Sequence, residues 1–319
     1  MHININITNY CNQKCVFCFA GAELNTERIP RNMSLATFSR ILAAHKDKSQ
    51  KVIRLMGGEP CLHENLSGFL DLASEKNFQI HIFSNGILNK ETVALLASYK
   101  DRVAYVFNIS TPSFQHNVLV RNRVINLISY LGQITNVGVS LTITPFTSID
   151  YLEHLKTVCA SIHNVRIGVA NPIAGEKNSY SLKDFPLFGS VMVNIISKLR
   201  AMGYEKHIAL NCGLTRCMFS TTQFSYMKKH VEYMGWSCFA KEGNIDVSSD
   251  ETAFHCFPFS REYRLPIKGR SLEATSNKLF AHHMQIWAQQ KNTICKKCPH
   301  YGFGADRCPG PCLAFQHNQ

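Results

Sequence analysis

Short apolar runs alternate with longer amphipathic segments over the first two thirds of the chain. The apolar runs have the length and composition of β-strands, which predicts strands at 3–8, 51–55, 79–83, 103–109, 137–144 and 164–170. Apolar residues recur at helical spacing between them, which predicts helices at 34–46, 64–76, 90–99, 121–133, 149–161 and 185–203. Ser34 and Asn89 stand where helix N-caps are expected.

Alternating strands and helices indicate parallel βα units with right-handed crossovers. Six units are too few to close an eight-stranded barrel. The predicted fold class is therefore α/β, with a partial (β/α)6 TIM-like barrel. In such a sheet, ligands bind at the carboxyl ends of the strands.

The chain changes character near residue 205. Cysteines become frequent, helical periodicity fades, and residues 244–247 and 252–255 form a predicted β-hairpin, followed by a helix near 274–290. We therefore predict two domains: the partial barrel over 1–205 and a small cysteine-rich α+β domain over 206–319.

The 13 cysteines favour metal ligation. No signal peptide or long apolar segment is present, so we expect a cytoplasmic protein, and the cytosol keeps thiols reduced. Cys61 and Cys159 are isolated and are expected to be ordinary buried side chains. The net charge of +12 favours anionic partners, but no dense basic stripe with interleaved aromatics supports nucleic acid.

Three cysteines follow the first strand as C-x3-C-x2-C: Cys11, Cys15 and Cys18. A [4Fe–4S] cluster normally has four thiolate ligands, so three leave one iron open for a bound molecule. A zinc knuckle is the alternative, although zinc ligands usually occur as two separated pairs.

The second strand ends in Met56-Gly57-Gly58-Glu59-Pro60. Two glycines allow the backbone to approach a ligand closely, and Glu59 can accept hydrogen bonds from a cationic amine. Taken alone, the same residues also describe an ordinary turn. Polar residues end the third and fourth strands, at Ser84 and Asn108, and Ser140, Thr142 and Thr144 alternate along the fifth.

The stretch from Cys11 to Cys18 and the Gly57-Gly58-Glu59-Pro60 turn resemble the signature motifs of the radical S-adenosylmethionine (SAM) superfamily. The resemblance implies that Cys11, Cys15 and Cys18 ligate a SAM-binding [4Fe–4S] cluster and that Phe17 packs near the adenine. It also implies further SAM contacts, from Met56, Gly57, Gly58, Glu59, Ser84 and Asn108.

The C-terminal tail carries a second pattern, C-x2-C-x9-C-x3-C, at Cys295, Cys298, Cys308 and Cys312. Upstream stand Cys217, Cys238 and Cys256. Two such pairs fit zinc as well on spacing alone, but seven or eight cysteines exceed the four that one zinc needs.

This region resembles the SPASM and Twitch extensions of radical SAM enzymes, which carry auxiliary iron–sulfur clusters. It departs from SPASM in two ways: nine residues instead of five separate Cys298 from Cys308, and no cysteine follows Cys312. By analogy, one auxiliary [4Fe–4S] cluster takes Cys238, Cys256 and Cys312 with Cys217 or Cys212. A second takes Cys295, Cys298 and Cys308 without an evident fourth thiolate. A single cluster on Cys238, Cys256, Cys295 and Cys298 is the alternative.

The resemblance implies a radical SAM oxidoreductase: SAM is cleaved to a 5′-deoxyadenosyl radical that abstracts hydrogen from a substrate. A ribosomally made peptide ranks first, for crosslinking, epimerisation or oxidation. A dehydrogenase or epimerase of a small metabolite, such as a sugar or aminoglycoside, ranks second. The implied partners are an electron donor such as flavodoxin or ferredoxin and, because the first strand begins at residue 3, a separate leader-peptide-binding protein. A non-catalytic zinc or iron–sulfur protein is the competing class, which the Gly-Gly turn and the βα units do not fit.

Overall fold

The computed structural model describes residues 3–18, 20–21, 31–46, 51–171, 181–211, 213–234, 243–260, 263–289, 293–302 and 307–317. The strands are β1 Ile3–Thr8, β2 Val52–Gly57, β3 Gln79–Ser84, β4 Val103–Asn108, β5 Val137–Ile143, β6 Asn164–Val169, β7 His207–Leu210, β8 Tyr233–Met234, β9 Ile245–Val247, β10 Thr252–Phe254 and β11 Leu265–Pro266. The α-helices are α1 Leu35–Ala44, α2 Leu66–Glu75, α3 Lys90–Ser98, α4 Pro112–His116, α5 Val118–Leu131, α6 Phe185–Ala201, α7 Thr221–His230, α8 Leu272–Gln289, α9 Thr293–Lys296 and α10 Leu313–His317.

Within the described ranges, the 11 strands form one open sheet in the order β11-β10-β9-β1-β2-β3-β4-β5-β6-β7-β8. Neighbours from β1 to β8 are parallel, and β9 is also parallel to β1. The predicted α/β class with a partial barrel is confirmed, as are all six predicted strands and the hairpin, which is β9 and β10.

Alternate residues of the parallel strands face opposite sides, as strand geometry requires. One set is apolar and fully buried beneath the helices, for example Ile5, Leu55 and Ile82. The other set faces the concave side and includes polar side chains, for example Asn4 and Arg54, which line a cavity. One face of the sheet therefore forms the apolar core with the helices, and the other face lines a cavity that contains polar side chains.

Side-chain caps begin two of the predicted helices. The Ser34 side chain accepts a hydrogen bond from Thr37 N, and Asn89 accepts one from Thr92 N, so both predicted N-caps are confirmed. Residues 150–161 instead form a 3-10 helix of 12 residues. Buried Leu152, Leu155 and Val158 recur every three residues, which matches the three-residue turn of a 3-10 helix.

The sheet continues past the domain boundary predicted at 205–206. Beyond it, β7 extends the sheet next to β6, and β9 pairs with β1 at the other side. The domain boundary therefore stays a prediction, and strands from both predicted domains belong to the same sheet. Among the described helices, none is both long enough and apolar enough to cross a lipid bilayer.

Candidate functional site

A cavity of about 300 Å³ opens at the carboxyl ends of the parallel strands. This is the location at which α/β sheets bind ligands, and the volume suits a small molecule. Every predicted catalytic and SAM-contacting residue lines it: Cys11, Cys15, Phe17, Cys18, Met56, Gly57, Gly58, Glu59, Ser84 and Asn108. The structure therefore brings together groups that lie almost 100 positions apart in the sequence.

The three N-terminal thiols lie on a tight loop directly after β1. Cys18 N donates to Cys15 O over 3.0 Å, and Gly21 N donates to Cys18 O over 3.1 Å. Gln13 N donates to Cys11 Sγ over 3.4 Å. These bonds fold the loop so that its three thiols face the same cavity.

Burial, and after it the neighbouring thiols of Cys18 and Cys11, together raise the pKa of the Cys15 thiol to about 12. Burial is also the largest cause of the raised pKa values of Cys11 and Cys18. The three thiols are thus close enough to affect one another, and as thiolates they would repel. A cationic iron–sulfur core would stabilise the thiolate form, so the donor set fits such a cluster.

The Gly-Gly turn after β2 packs against the start of this loop. Gly57 has φ +140°, and a Cβ at either glycine would overlap a backbone oxygen, Thr8 O for Gly57 and Tyr10 O for Gly58. Gly58 N donates to Thr8 O over 2.8 Å, and Glu59 N donates to Tyr10 O over 2.7 Å. Glycine is required here because two backbones meet without room for a side chain.

Glu59 joins two strand ends. Its Oε2 accepts from Asn85 N over 2.7 Å and its Oε1 accepts from Cys61 N over 3.1 Å, with the residue only 1% exposed. Burial raises the pKa of this carboxyl, and the backbone donors oppose that rise. Its predicted contact with a SAM amine stays a prediction; the structure adds a positioning role between β2 and β3.

The end of β3 holds the cysteine loop from the other side. Asn85 Nδ2 donates to Asn12 Oδ1 over 2.7 Å, and Asn12 Nδ2 donates to Ile87 O over 3.3 Å. Ser84 Oγ accepts from Gly86 N over 3.0 Å, at a glycine with φ +75°. Asn12 and Asn85 are positioning residues between Cys11 and the strand end.

The ends of β4 and β5 complete the polar wall. Ser140 and Thr142 line the cavity, whereas Thr144 lies outside the lining and its backbone N donates to Thr147 Oγ1 over 2.7 Å. Asn108 also lines it, and its Oδ1 accepts from Ser110 N over 2.9 Å.

The polar cavity residues that the sequence analysis did not predict include Asn4, Arg54, Arg166, Asp246 and His255. Asn4, Arg54 and Arg166 alternate with buried apolar residues along their strands. The alternation in the sequence therefore indicates that these three side chains face the inside of the barrel. Asp246 and His255 belong to the hairpin, and their place in the cavity depends on the pairing of β9 with β1.

His255 has a defined tautomer. Its Nδ1 lies 3.1 Å from Asn244 O, and a carbonyl only accepts, so Nδ1 carries the proton. Burial lowers the pKa of His255 to about 4, which keeps the ring neutral at pH 7. Its Nε2 is a buried acceptor without a hydrogen-bond partner in the described part of the chain, at a residue that lines the cavity.

The C-terminal thiols separate into two places. Cys256 and Cys312 line the cavity, together with the strip Pro309–Leu313. The other four lie in mutual electrostatic range outside the cavity lining: Cys217, Cys295, Cys298 and Cys308. Cys217 thus accompanies the tail cysteines, although the sequence analogy first grouped it with Cys256. Cys212 and Cys238 lie outside the described residues.

Among the described residues, no group of three or more His, Cys, Asp or Glu side chains is arranged to hold a single metal ion. The thiolates of an iron–sulfur cluster bind different iron atoms and need not meet at one point.

The family model "Radical SAM superfamily" matches residues 5–158, which include the cysteine loop, the Gly-Gly turn and the end of β3. This chain contains a radical SAM domain. The predicted superfamily is thereby confirmed.

Curated relatives match this chain over short segments only. The GTP 3′,8-cyclase of Desulforamulus reducens is 28% identical over 92 residues, which cover 28% of this chain and 28% of that enzyme. An S-adenosylmethionine-dependent nucleotide dehydratase of a Fibrobacter species is 30% identical over 129 residues, 37% of this chain and 36% of that protein. This chain thus matches only 28% and 36% of the lengths of these two relatives.

Solved structures match nearly the whole chain. Streptococcus suis SuiB bound to S-adenosylmethionine has 19% identity and a TM-score of 0.67, over 93% of this chain and 70% of SuiB. Native anSMEcpe with bound AdoMet has 15% identity and a TM-score of 0.67, over 100% of this chain and 90% of that chain. At these identities the likeness establishes a shared fold, and it includes the part of the chain that follows the radical SAM domain.

Proposed function

We propose that this chain binds a [4Fe–4S] cluster through Cys11, Cys15 and Cys18 and binds SAM in the adjacent cavity. The proposed reaction is reductive cleavage of SAM, followed by abstraction of a hydrogen atom from a substrate. The observation that supports it most strongly is the set of direct hydrogen bonds joining the cysteine loop, the Gly-Gly turn and the end of β3 around one cavity.

A cluster held by Cys11, Cys15 and Cys18 would supply the difficult chemistry, namely one-electron reduction of the SAM sulfonium to give methionine and a 5′-deoxyadenosyl radical. The chain's first contribution is the number of its cysteine ligands, which is three. Three thiolates would leave one iron of the cluster without a protein ligand, open to the amino and carboxylate groups of SAM.

The remaining cavity residues position SAM. Gly57 and Gly58 let backbone donors and acceptors reach the cavity edge, and buried Glu59 places a negative carboxylate near the expected ammonium. Ser84 and Asn108 offer polar groups at successive strand ends, and Phe17 offers a ring for the adenine. A pre-formed arrangement lowers the barrier because orientation is fixed before the reaction starts.

The test is formation of 5′-deoxyadenosine, measured by mass spectrometry after anaerobic reconstitution and addition of SAM and dithionite. Cys15→Ala removes one of three ligands and is expected to abolish the product, at least 100-fold below wild type, on the order of the loss of a catalytic group.

Cys159→Ala is the matched control, because Cys159 is half-buried and lies outside both cysteine groups. It is expected to behave as wild type. Normal product formation by Cys15→Ala would show that the cluster is held elsewhere.

For the substrate we propose a ribosomally made peptide. SuiB bound to its precursor peptide SuiA and native anSMEcpe with AdoMet and the Cp18Cys peptide both share the fold over most of this chain, with TM-scores of 0.66. A cavity that also has the tail strip Pro309–Leu313 as one wall could accept an extended segment. A separate leader-binding protein and a flavodoxin or ferredoxin as electron donor belong to this proposal.

A nucleotide or other small anionic metabolite is the second candidate. Arg54 and Arg166 line the cavity, and both curated relatives named above act on nucleotides by their names. Incubation with SAM, dithionite and either a short peptide encoded next to this gene or a set of nucleoside triphosphates separates the two. The true substrate is expected to be consumed in step with 5′-deoxyadenosine release.

A further inference from the structure

Four cysteines from two distant segments meet beside the cavity, and we call them the thiol tetrad: Cys217, Cys295, Cys298 and Cys308. Neither the Cys11 loop nor the SAM contacts proposed above include any of them. Their arrangement differs from the sequence analogy, in which the tail trio lacked a fourth thiolate.

The tail folds back on itself to place three members of the tetrad. Cys298 N donates to Cys295 O over 3.0 Å, which closes a tight turn between the first two thiols. Tyr301 and Cys308 then form an isolated β-bridge, with Cys308 N donating to His300 O over 2.8 Å. These contacts place Cys308 next to the segment that follows Cys298.

The fourth member comes from a short 3-10 turn after β7, Arg216–Met218. Arg216 N lies 3.4 Å from Cys308 Sγ and donates to it, so this turn touches the tail at a thiol. Cys217 follows directly, with its Sγ 3.1 Å from Thr215 Oγ1. Cys217 is exposed at the surface, while the other three thiols are partly buried.

Cationic side chains accompany the thiol tetrad along the sequence. Basic residues adjoin every member in the sequence: Arg216, Lys296, Lys297 and Arg307. Cations near the tetrad would stabilise a centre whose total charge with four thiolates is negative.

Only a strip of backbone separates the tetrad from the cavity. A Cβ built on Gly310 would lie 3.6 Å from Cys295 Sγ, while Gly310 itself lines the cavity between Pro309 and Pro311. The tetrad therefore has the surface on one side, at Cys217, and the cavity wall on the other.

We infer that the tetrad ligates a [4Fe–4S] cluster of its own, with Cys217 as the fourth ligand. Four thiolates occupy all four irons, so this cluster has no open position for SAM or substrate. A cluster held in this way would be suited to one-electron transfer rather than to binding a ligand. The electron-transfer role rests on the proposed function, whereas the ligand set does not.

The first test is iron content and Mössbauer spectra after anaerobic reconstitution with iron and sulfide. Cys217→Ala is expected to lose about four irons per chain, or to keep them with one iron spectroscopically distinct because it lacks its thiolate. Cys159→Ala is the matched control and should equal wild type. Identical iron content and spectra for Cys217→Ala and wild type would overturn the inference.

The second test uses the unaltered protein, so it does not depend on how a variant folds. Iodoacetamide labelling followed by peptide mass spectrometry should modify exposed Cys217 readily in metal-free protein and at least 10-fold more slowly in reconstituted protein. The tail members of the tetrad should gain the same protection, and Cys159 should react equally in both. Equal labelling of Cys217 in both states would contradict its role as a ligand.

The two proposals fail separately. If wild-type protein forms no 5′-deoxyadenosine while Cys217→Ala still changes the bound iron, the proposed function falls and the tetrad assignment stands. If 5′-deoxyadenosine forms normally but Cys217 is neither protected nor needed for iron, only the tetrad assignment falls.

Discussion

A carboxyl group inside the barrel shows how strongly a single residue can depend on its surroundings. Asp246 is 5% exposed, and its Oδ1 accepts from Asn4 Nδ2 over 3.0 Å. Burial raises the pKa of Asp246 from 3.8 to about 7, against the opposing effects of Asn4 and Arg54. The group thus changes charge near neutral pH within the candidate active site.

Replacing Asp246 by Asn should make stability less sensitive to pH. Because the folded-state pKa is above the unfolded value of 3.8, the folded protein binds more protons between about pH 4 and 7, and stability falls as pH rises through that window. Asp246→Asn removes this loss, so its free energy of unfolding should exceed that of wild type at pH 8, by up to about 4 kcal/mol, and approach it near pH 4.

Urea unfolding of the metal-free proteins at pH 4.5 and pH 8 measures the difference. Asp101→Asn, at an exposed position, is the control and should leave the pH dependence unchanged. A constant gap between Asp246→Asn and wild type at both pH values would show that Asp246 is not the group that titrates.

Among the elements, the Gly-Gly turn has little freedom to vary. Gly58→Ala would place a Cβ against Tyr10 O, one residue before Cys11, and the turn or the cysteine loop must then shift. We expect a lower melting temperature, with a loss of about 1–3 kcal/mol, and weaker retention of the N-terminal cluster.

Gly21→Ala is the matched control near the same loop, since no heavy atom lies within 4 Å of its added Cβ. Thermal unfolding and iron content after reconstitution distinguish the two variants. Equal iron content in Gly58→Ala and Gly21→Ala would mean that the close approach of the two backbones is not needed for cluster binding.

At the level of elements the sequence was informative where the signal was local. Each of the six long parallel strands follows from its own apolar spacing, as do α1, α2, α3, α5 and α6, whereas α4 and α7 were not predicted. Caps such as Ser34 follow from one side chain. The strands β7 and β8 have four and two residues, too few to display a period. The 3-10 winding of residues 150–161 was not anticipated, although its three-residue spacing of apolar side chains was visible.

At the scale of the whole molecule, the pairing of β1 with β9 could not be predicted from any local sequence pattern. Asn4 and Asp246 are hydrogen-bonded although 242 positions separate them, and this pairing places β1 inside the sheet. It also brings the hairpin residues Asp246 and His255 to the cavity. Sequence motifs identified the candidate SAM contacts, but the hairpin's contribution required the three-dimensional pairing.

The predicted boundary can be tested by expressing residues 1–205 alone. This segment leaves one side of β1 and one side of β6 unpaired, and exposed strand edges favour aggregation. We expect most of the segment in the insoluble fraction under conditions where the full chain is soluble. A soluble segment with a cooperative thermal transition would show that 1–205 folds independently.

The central position of β1 also has a consequence during synthesis on the ribosome. The first strand emerges early, but its partner β9 emerges only after about 240 further residues, which at about 5–20 residues per second takes on the order of 10–50 s. Throughout that interval the edge of β1 that β9 later covers stays unpaired, and we expect the nascent chain to be prone to aggregation there.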